Sequence, residues 1–447
     1  MRTTVITSLG LFLGLGCGGG GSSDGGGLIH KDGAIAADGI AITSGFTIVD
    51  IPECGLAGYQ TVAAAAGDKV YFATLATTDK VQSCVLEDRS NQTALVYDIC
   101  VVSPTVSGFS GAKVSSQGYR GMMGVGLALD KAGTPTLAYT GGQTAPFRCG
   151  ASDMLIATVN GAALGIPKTI AAGSASTGMP ADQAANCVQD VCNRGDATGY
   201  WPSLALDPVS GTFGLAFRDL HIGFADTDMA SSDVEFAKGD GYAVYTVDVA
   251  RGGGTYARLA FSPAGKAAVV HYIEKPSAIW IDRETTAGWV SQKLFTGVIG
   301  EQLGFAISAK GLHALAYFDA ARKLLAYKES PDGDTFTAAE DVDRNGVTGN
   351  YPSLAFDPDG NPAIAYYRCS DYNVTDGCKD TMDGLYLARR RLGAWTNTKV
   401  VGNDGTFEGM YTALAFVGGK AVIAYQSSYF DSIANTSKVS LHIAKEM

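Results

Sequence analysis

Few residues in this chain carry chemistry by type and spacing, and they are scattered. Arg258 is the most unusual. It sits inside Ala257-Arg-Leu-Ala-Phe-Ser262, one of several related segments, where the others place Thr61, Gly126, Ser203, Gly304, Ser353 and Ala413. A guanidinium there offers a planar fork of donors suited to an anionic ligand; the alternative is an internal pair with a neighbouring carboxylate. Asp341-Val-Asp343-Arg-Asn345-Gly346 sets oxygen ligands at alternate positions before a turn glycine, the opening of a calcium loop. Pro352 stands where the closing carboxylate belongs, so the segment is either a calcium site or a plain turn. His221 lies between Asp219 and Asp226, an arrangement open to metal or acid–base work. Asp371, Tyr372, Asp376, Asp380 and Asp383 crowd one segment. Trp201, Tyr351 and Tyr411 each lead into a related segment, either to stack on sugars or fill a protein hot spot, or to pack between repeats. Arg194-Gly195-Asp196 matches an integrin-recognition tripeptide, too short to be informative. There is no phosphate-binding glycine loop or H-E-x-x-H.

The elements that must position these residues form a repeat. Tyr200-Trp-Pro-Ser-Leu-Ala-Leu-Asp-Pro-Val-Ser-Gly211 parallels Asn350-Tyr-Pro-Ser-Leu-Ala-Phe-Asp-Pro-Asp-Gly360. Weaker copies are centred on Leu127, Leu259, Phe305 and Leu414, with a degenerate first copy at Val62. Successive anchors are 65, 77, 55, 46, 49 and 60 residues apart. The short spacings suit a four-stranded propeller blade. The first strand of a unit ends in turn chemistry such as Asp357-Pro-Asp-Gly360. The second is Ala363 to Tyr367, the third Leu385 to Arg389. The fourth opens with an aromatic and Thr, as in Trp395-Thr and Phe336-Thr. The last unit stops after its third strand at Met447, while Phe46-Thr47 resembles a lone fourth strand. This predicts an all-β, seven-bladed β-propeller over 45–447, closed by an N-terminal strand near 45–51 that completes the last blade. A closed ring leaves no free sheet edge. Loops between second and third strands, and between blades, are the long ones: Ala171 to Gly199, Asp219 to Ser232, Cys369 to Asp383 and Gln426 to Ser437. They share one face, where binding is expected.

Composition agrees with short strands and tight turns: hydrophobic residues are 46%, charged residues only 17%, and there are 58 glycines. A net charge of -11 argues against nucleic acid as a partner. Residues 1–16 read as an export signal: Arg2, then an apolar run too short to span a bilayer. Eight cysteines remain beyond Cys17, an even number in an exported chain, so disulfides are expected. Proximity suggests Cys369–Cys378, Cys187–Cys192, Cys84–Cys100 and Cys54–Cys149.

Leu15-Gly16-Cys17 resembles the lipobox of bacterial lipoproteins, which implies lipidation of Cys17, a Gly/Ser-rich tether over 17–44, and a membrane contact through that anchor alone. Gly18 in place of Asp leans the placement toward the outer membrane of the cell envelope. The G-x-Y-P-S-L-A-F-D-P-D-G and L-Y-L-A-R-R…A-W-T patterns are similar to degenerate propeller repeats of bacterial extracellular lipoproteins, beside the sialidase-like and YVTN-type propellers. The sialidase Asp-box and the WD dipeptide are both absent. The resemblance therefore implies a fold and an extracellular address, not a reaction. Expected functions are a surface module binding a glycan or another surface protein; a polysaccharide hydrolase or lyase using loop carboxylates such as Asp219 and Asp371; or a structural envelope component.

Overall fold

The computed structural model describes residues 40–43, 45–85, 91–106, 108–116, 124–141, 152–173, 197–220, 232–239, 241–248, 252–369, 382–402, 406–431 and 436–447. It forms seven antiparallel sheets in a ring, a β-propeller. The innermost strands of blades 1 to 7 are Ala57–Ala66, Gly126–Leu129, Ala197–Leu206, Thr255–Phe261, Gly304–Ile307, Val347–Phe356 and Phe407–Val417. The second strands, such as Pro135–Gly141, Ala267–Glu274 and His313–Asp319, are nearly all buried because each blade is sandwiched between two neighbours. The turn residues act as expected: the Asp357 carboxylate accepts from the backbone of Asp359 at 3.0 Å and Asn361 at 2.8 Å.

The ring closes as the repeat implied. Phe46–Asp50 pairs with Thr436–Glu446, from Phe46 opposite Glu446 to Asp50 opposite His442. A further strand, Ile40–Thr43, pairs outside it, so regular structure begins before residue 45 and blade 7 has five strands. The seam is buried by Ile51 and Cys54 packing with Phe72 and Cys100 of blade 1 and with Val422, Leu441 and Ile443 of blade 7.

Three expectations are corrected here. Cys54 bonds to Cys100, which overturns the pairings Cys84–Cys100 and Cys54–Cys149. Closure carries Cys54 from the edge of blade 7 onto the third strand of blade 1, whereas Cys84 lies opposite Gln92, far along a hairpin. Closing a loop of 46 residues contributes on the order of 4 kcal/mol in the chain-entropy account. Cys369 is also disulfide-bonded; Cys378, Cys187 and Cys192 lie outside the described residues. Second, the segment after Gln426 is no simple loop. Lys420–Asp431 and Thr436–Glu446 extend as a hairpin beyond the sheet, and Lys69–Val85 with Asn91–Pro104 does the same in the adjacent blade 1. Third, the outer strand of blade 5 is Glu340–Asp343, not the segment at Phe336.

In blades 1, 3, 4, 6 and 7 the innermost strand starts with a bulge that turns it toward the axis. Gly349 in blade 6 has φ +102°, and a Cβ there would stand 2.6 Å from the Leu325 backbone of blade 5. Gly254 repeats the device in blade 4, where a Cβ would meet Arg218 of blade 3 at 2.7 Å. Replacing Gly349 by Ala forces both a left-handed residue and an overpacked contact, and should cost more than about 2 kcal/mol in chemical denaturation. Gly360→Ala, with φ +85° and nothing within 4 Å, should cost only about 1 kcal/mol.

The seam also holds a buried titratable group. His442 lies 3.6 Å from Glu408 and 3.6 Å from Asp50, with the Tyr425 hydroxyl at 3.3 Å and Ser440 at 3.2 Å. Burial alone would lower its pKa, but the hydrogen bond and charge of Glu408, then Asp50, raise it above the ordinary histidine value. Glu408, despite burial, is lowered by His442, Ser427 and Thr406. The histidine's share of stability is therefore complete below its unfolded pKa of about 6.5 and lost as pH rises through the raised folded value. The glutamate's share is present above its unfolded value and lost as pH falls through the depressed one. Melting temperature should decline as pH is raised from 6 through neutrality, and His442→Gln should flatten that slope.

Candidate functional site

The innermost strands line an axial cavity of about 150 Å³ with residues from all seven blades. Strand register aligns seven positions around it: Val62, Gly126, Ser203, Arg258, Gly304, Ser353 and Ala413. In blade 1 the equivalent is Val62, one residue later than the expected Thr61, because the bulge that skips from Tyr59 to Val62 shifts the run of alanines. The position is crowded by the next blade. Ser203 and Ser353 accept from the backbone N–H of Leu259 and Leu414, each at 2.9 Å, tying adjacent blades together. A Cβ on Gly304 would stand 3.0 Å from the Leu354 nitrogen. Arg258 alone brings charge there. Its Nη1 donates to the carbonyl of its neighbour Ala257 at 3.0 Å, and no ion pair holds it among the described residues. Desolvation pushes its pKa down to about 10, with the Tyr256 phenol opposing, so it stays charged at neutrality.

Two residues before each of these positions stands a residue with positive φ: Gln60, Gly124, Trp201, Tyr256, Gln302, Tyr351 and Tyr411, from φ 48° to φ 96°. For a Trp or Tyr that conformation is rare and needs tertiary support. In the five bulged blades it is the means by which the bulge aims one side chain at the axial mouth; Gln302 and Gly124 take the same conformation in blades 5 and 2 without a bulge. The rings meet in pairs: Trp201 with Tyr256 at 5.7 Å, Tyr351 with Tyr411 at 4.6 Å, and Tyr411 with Tyr59 at 5.8 Å between centroids. The indole N–H of Trp201 is buried without a partner among the described residues, while the Arg218 guanidinium lies over its ring at 5.3 Å. Glu301 joins this collar beside Tyr411 and Tyr256. Burial raises its carboxyl pKa, with Tyr411 partly offsetting. Burial and then Glu301 hold the phenols of Tyr256 and Tyr411 above the ordinary tyrosine value.

Of the expected site residues, the structure brings Arg258, Trp201 and Tyr351 to this mouth. Asp219 is buried as a strut, accepting from the Thr198 hydroxyl at 2.7 Å. Asp341 lies in the outer strand of blade 5 against Arg322 and Arg344, both at 2.5 Å. Asp343 accepts from the Tyr366 hydroxyl at 2.7 Å and from Asn345, whose side-chain nitrogen is 3.0 Å away. Among the described residues no three His, Cys, Asp or Glu gather as metal ligands. His271 is a core residue: its Nδ1 accepts from Gly254 at 3.1 Å and its Nε2 lies 3.0 Å from Asp282. Cys17, His221, Asp371 and Tyr372 lie outside the described residues. Sequence reasoning missed Gln60, Tyr256, Glu301 and Gln302. A glycine two residues before the collar position, as in Gly254-Thr-Tyr256 and Gly300-Glu-Gln302, was the available signal.

No family model and no curated protein matches the chain. Solved structures similar to it include a protein of unknown function from Dyadobacter fermentans, at 11% identity and TM-score 0.44, covering 72% of this chain and 94% of that one. A leech intramolecular trans-sialidase aligns at 9% identity and TM-score 0.43, covering 90% and 93%. The fucose-specific lectin of Aleuria aurantia aligns at 9% identity and TM-score 0.43, covering 78% and 96%. Identities this low assign no function.

Ser353→Ala leaves the buried Leu414 N–H unpaired at a blade junction. It should cost about 1–2 kcal/mol in equilibrium unfolding, with no loss of blade structure by circular dichroism.

Proposed function

We propose that this protein is a surface binding module that recognises a glycan at the axial collar. The observation that carries this reading is the delivery of Trp201, Tyr256, Tyr351 and Tyr411 to one mouth by a shared bulge. Flat aromatic faces beside polar groups form a surface that stacks on sugar rings while orienting hydroxyls. Register places the two long hairpins of blades 7 and 1 at the same end as the collar: Phe407 faces Ser428 before that hairpin continues to Asp431, and Ala57 faces Ala76 before the other continues to Val85. Such projections on a rigid ring add contact area for a larger partner. A surface protein is the competing ligand for the same collar.

The hydrolase or lyase reading is favoured by one observation, the raised carboxyl of Glu301 in the mouth, since perturbed acids mark catalytic clefts. Against it, the phenols beside Glu301 are pushed away from ionisation, which makes them poor nucleophiles. Lipidation at Cys17 and outer-membrane placement belong to the same proposal and rest on the lipobox-like Leu15-Gly16-Cys17. The binding proposed here uses no metal.

A glycan array probed with the chain from residue 28 onward should show selective, saturable binding, insensitive to chelation. Trp201→Ala and Tyr256→Ala should each weaken it about tenfold or more. An array without binders, together with capture of a specific protein ligand that still depends on Trp201, would replace the glycan by a protein. Turnover of any bound polysaccharide, lost in Glu301→Gln, would favour the enzyme.

A further inference from the structure

The axial cavity below the collar is built from groups that donate. No acidic side chain lines it, and one cation, Arg258, does. Ser203 and Ser353 each accept one hydrogen bond from the backbone of the next blade, and neither hydroxyl donates to a partner among the described residues. The hydroxyl of Thr412, by contrast, is already spent on the carbonyls of Tyr351 and Ala365, at 2.6 and 3.1 Å. Apolar walls from Leu127, Leu204, Phe305 and Leu354 surround these donors. Arg258 is half-buried among these groups, and a partly desolvated guanidinium gains from a counter-charge. The described residues supply none, although the chain's net charge is -11. Elsewhere the protein pairs its half-buried arginines: Arg389 meets both oxygens of Glu446 at 2.6 Å, and Arg390 reaches Glu329 and Glu340 at 3.2 and 2.8 Å. The exception is at the axis, where a ligand can arrive.

We propose that the axial cavity is an oxyanion site in which Arg258, with the Ser203 and Ser353 hydroxyls, holds a carboxylate. The planar fork of the guanidinium matches a carboxylate in two parallel hydrogen bonds, and the serine hydroxyls add two side-chain donors. A cavity of about 150 Å³ is below the ~300 Å³ of ordinary small-molecule pockets, so it takes a carboxylate with a short stem and not a whole sugar. The carboxylate comes either free from solution or borne on an acidic sugar resting at the collar, and in the second case the cavity makes the proposed glycan site selective for acidic sugars.

The test is calorimetric titration and thermal unfolding of the purified chain with sodium acetate, sodium glucuronate and glucose, against sodium chloride at equal ionic strength. Acetate or glucuronate should bind and raise the melting temperature, and glucose should not. Arg258→Gln should weaken carboxylate binding at least tenfold while leaving the melting temperature in carboxylate-free buffer unchanged or higher, since it removes an uncompensated charge. Arg258→Lys should retain part of the affinity. Binding of acetate and glucuronate alike identifies the free anion; binding of glucuronate alone identifies the acidic sugar. Should Arg258→Gln fail to fold, the comparison of acetate with chloride on the parent chain and on Arg258→Lys still decides. Absence of any carboxylate-dependent heat or stabilisation in the parent chain, or full binding by Arg258→Gln, overturns the site. A blank glycan array with acetate binding intact refutes the glycan reading and leaves this one standing.

Discussion

Everything in this molecule depends on the pairing of Phe46–Asp50 with Thr436–Glu446. Seven sandwiched sheets bury both faces only if the last meets the first; otherwise blades 1 and 7 each expose an apolar face to water. The protein reinforces that seam in three ways. The closing strand adds a backbone ladder, Cys54–Cys100 fixes the segment that follows it to blade 1, and Ile51 plugs the junction between the two blades. His442 adds a charge network joining the closing strand, the last strand and the lead-in to blade 7.

Closure creates the second constraint, crowding at the axis. Seven strands converge there, and each must be small where it faces the next. Glycine and serine meet that demand in four blades, alanine and valine in two, and the neighbour's backbone N–H is answered where serine stands. Arg258 breaks the pattern. A cation is tolerated at a position that sterics would assign to a small side chain, and nothing in the core's packing requires it. The collar above it follows from the same crowding: the strand must turn sharply as it enters the axis, the turn takes a left-handed residue, and in every blade but the second, where it is Gly124, that residue's side chain is thrown toward the mouth.

The parts legible in the sequence were those encoded locally. Leu-Ala-Phe runs, Asp-initiated turns and the missing fourth strand of the final unit gave the blade count and the closure. What escaped was set by tertiary geometry. The collar positions hold Gln, Gly, Trp and Tyr, with no common residue type, because the bulge selects a backbone conformation that glycines two residues upstream make possible. The first repeat slipped by one residue because Val62-Ala-Ala-Ala-Ala66 has no side-chain pattern to fix its register. The disulfide partner of Cys54 was misjudged because proximity along the chain loses meaning where the ring returns on itself. Asp341 and Asp343 looked like ligands by spacing, yet Asp341 is matched by arginines from its own blade and Asp343 by Tyr366 of the next and Asn345.

The seam has a consequence for how the chain is made. Phe46 leaves the ribosome early, and its partner Glu446 is four hundred residues behind it. Blades 1 to 6 can form in order as they emerge, each templating the next. The segment around residues 46–50 has no sheet to join during that time. Only Ile40–Thr43 can pair with it, so its other edge stays open beside the apolar Phe46, Ile48 and Ile51, the kind of edge that recruits foreign strands. Synthesis order therefore makes a strand formed before every blade the last to be docked, and a chain interrupted anywhere before its final strand keeps that edge open for good.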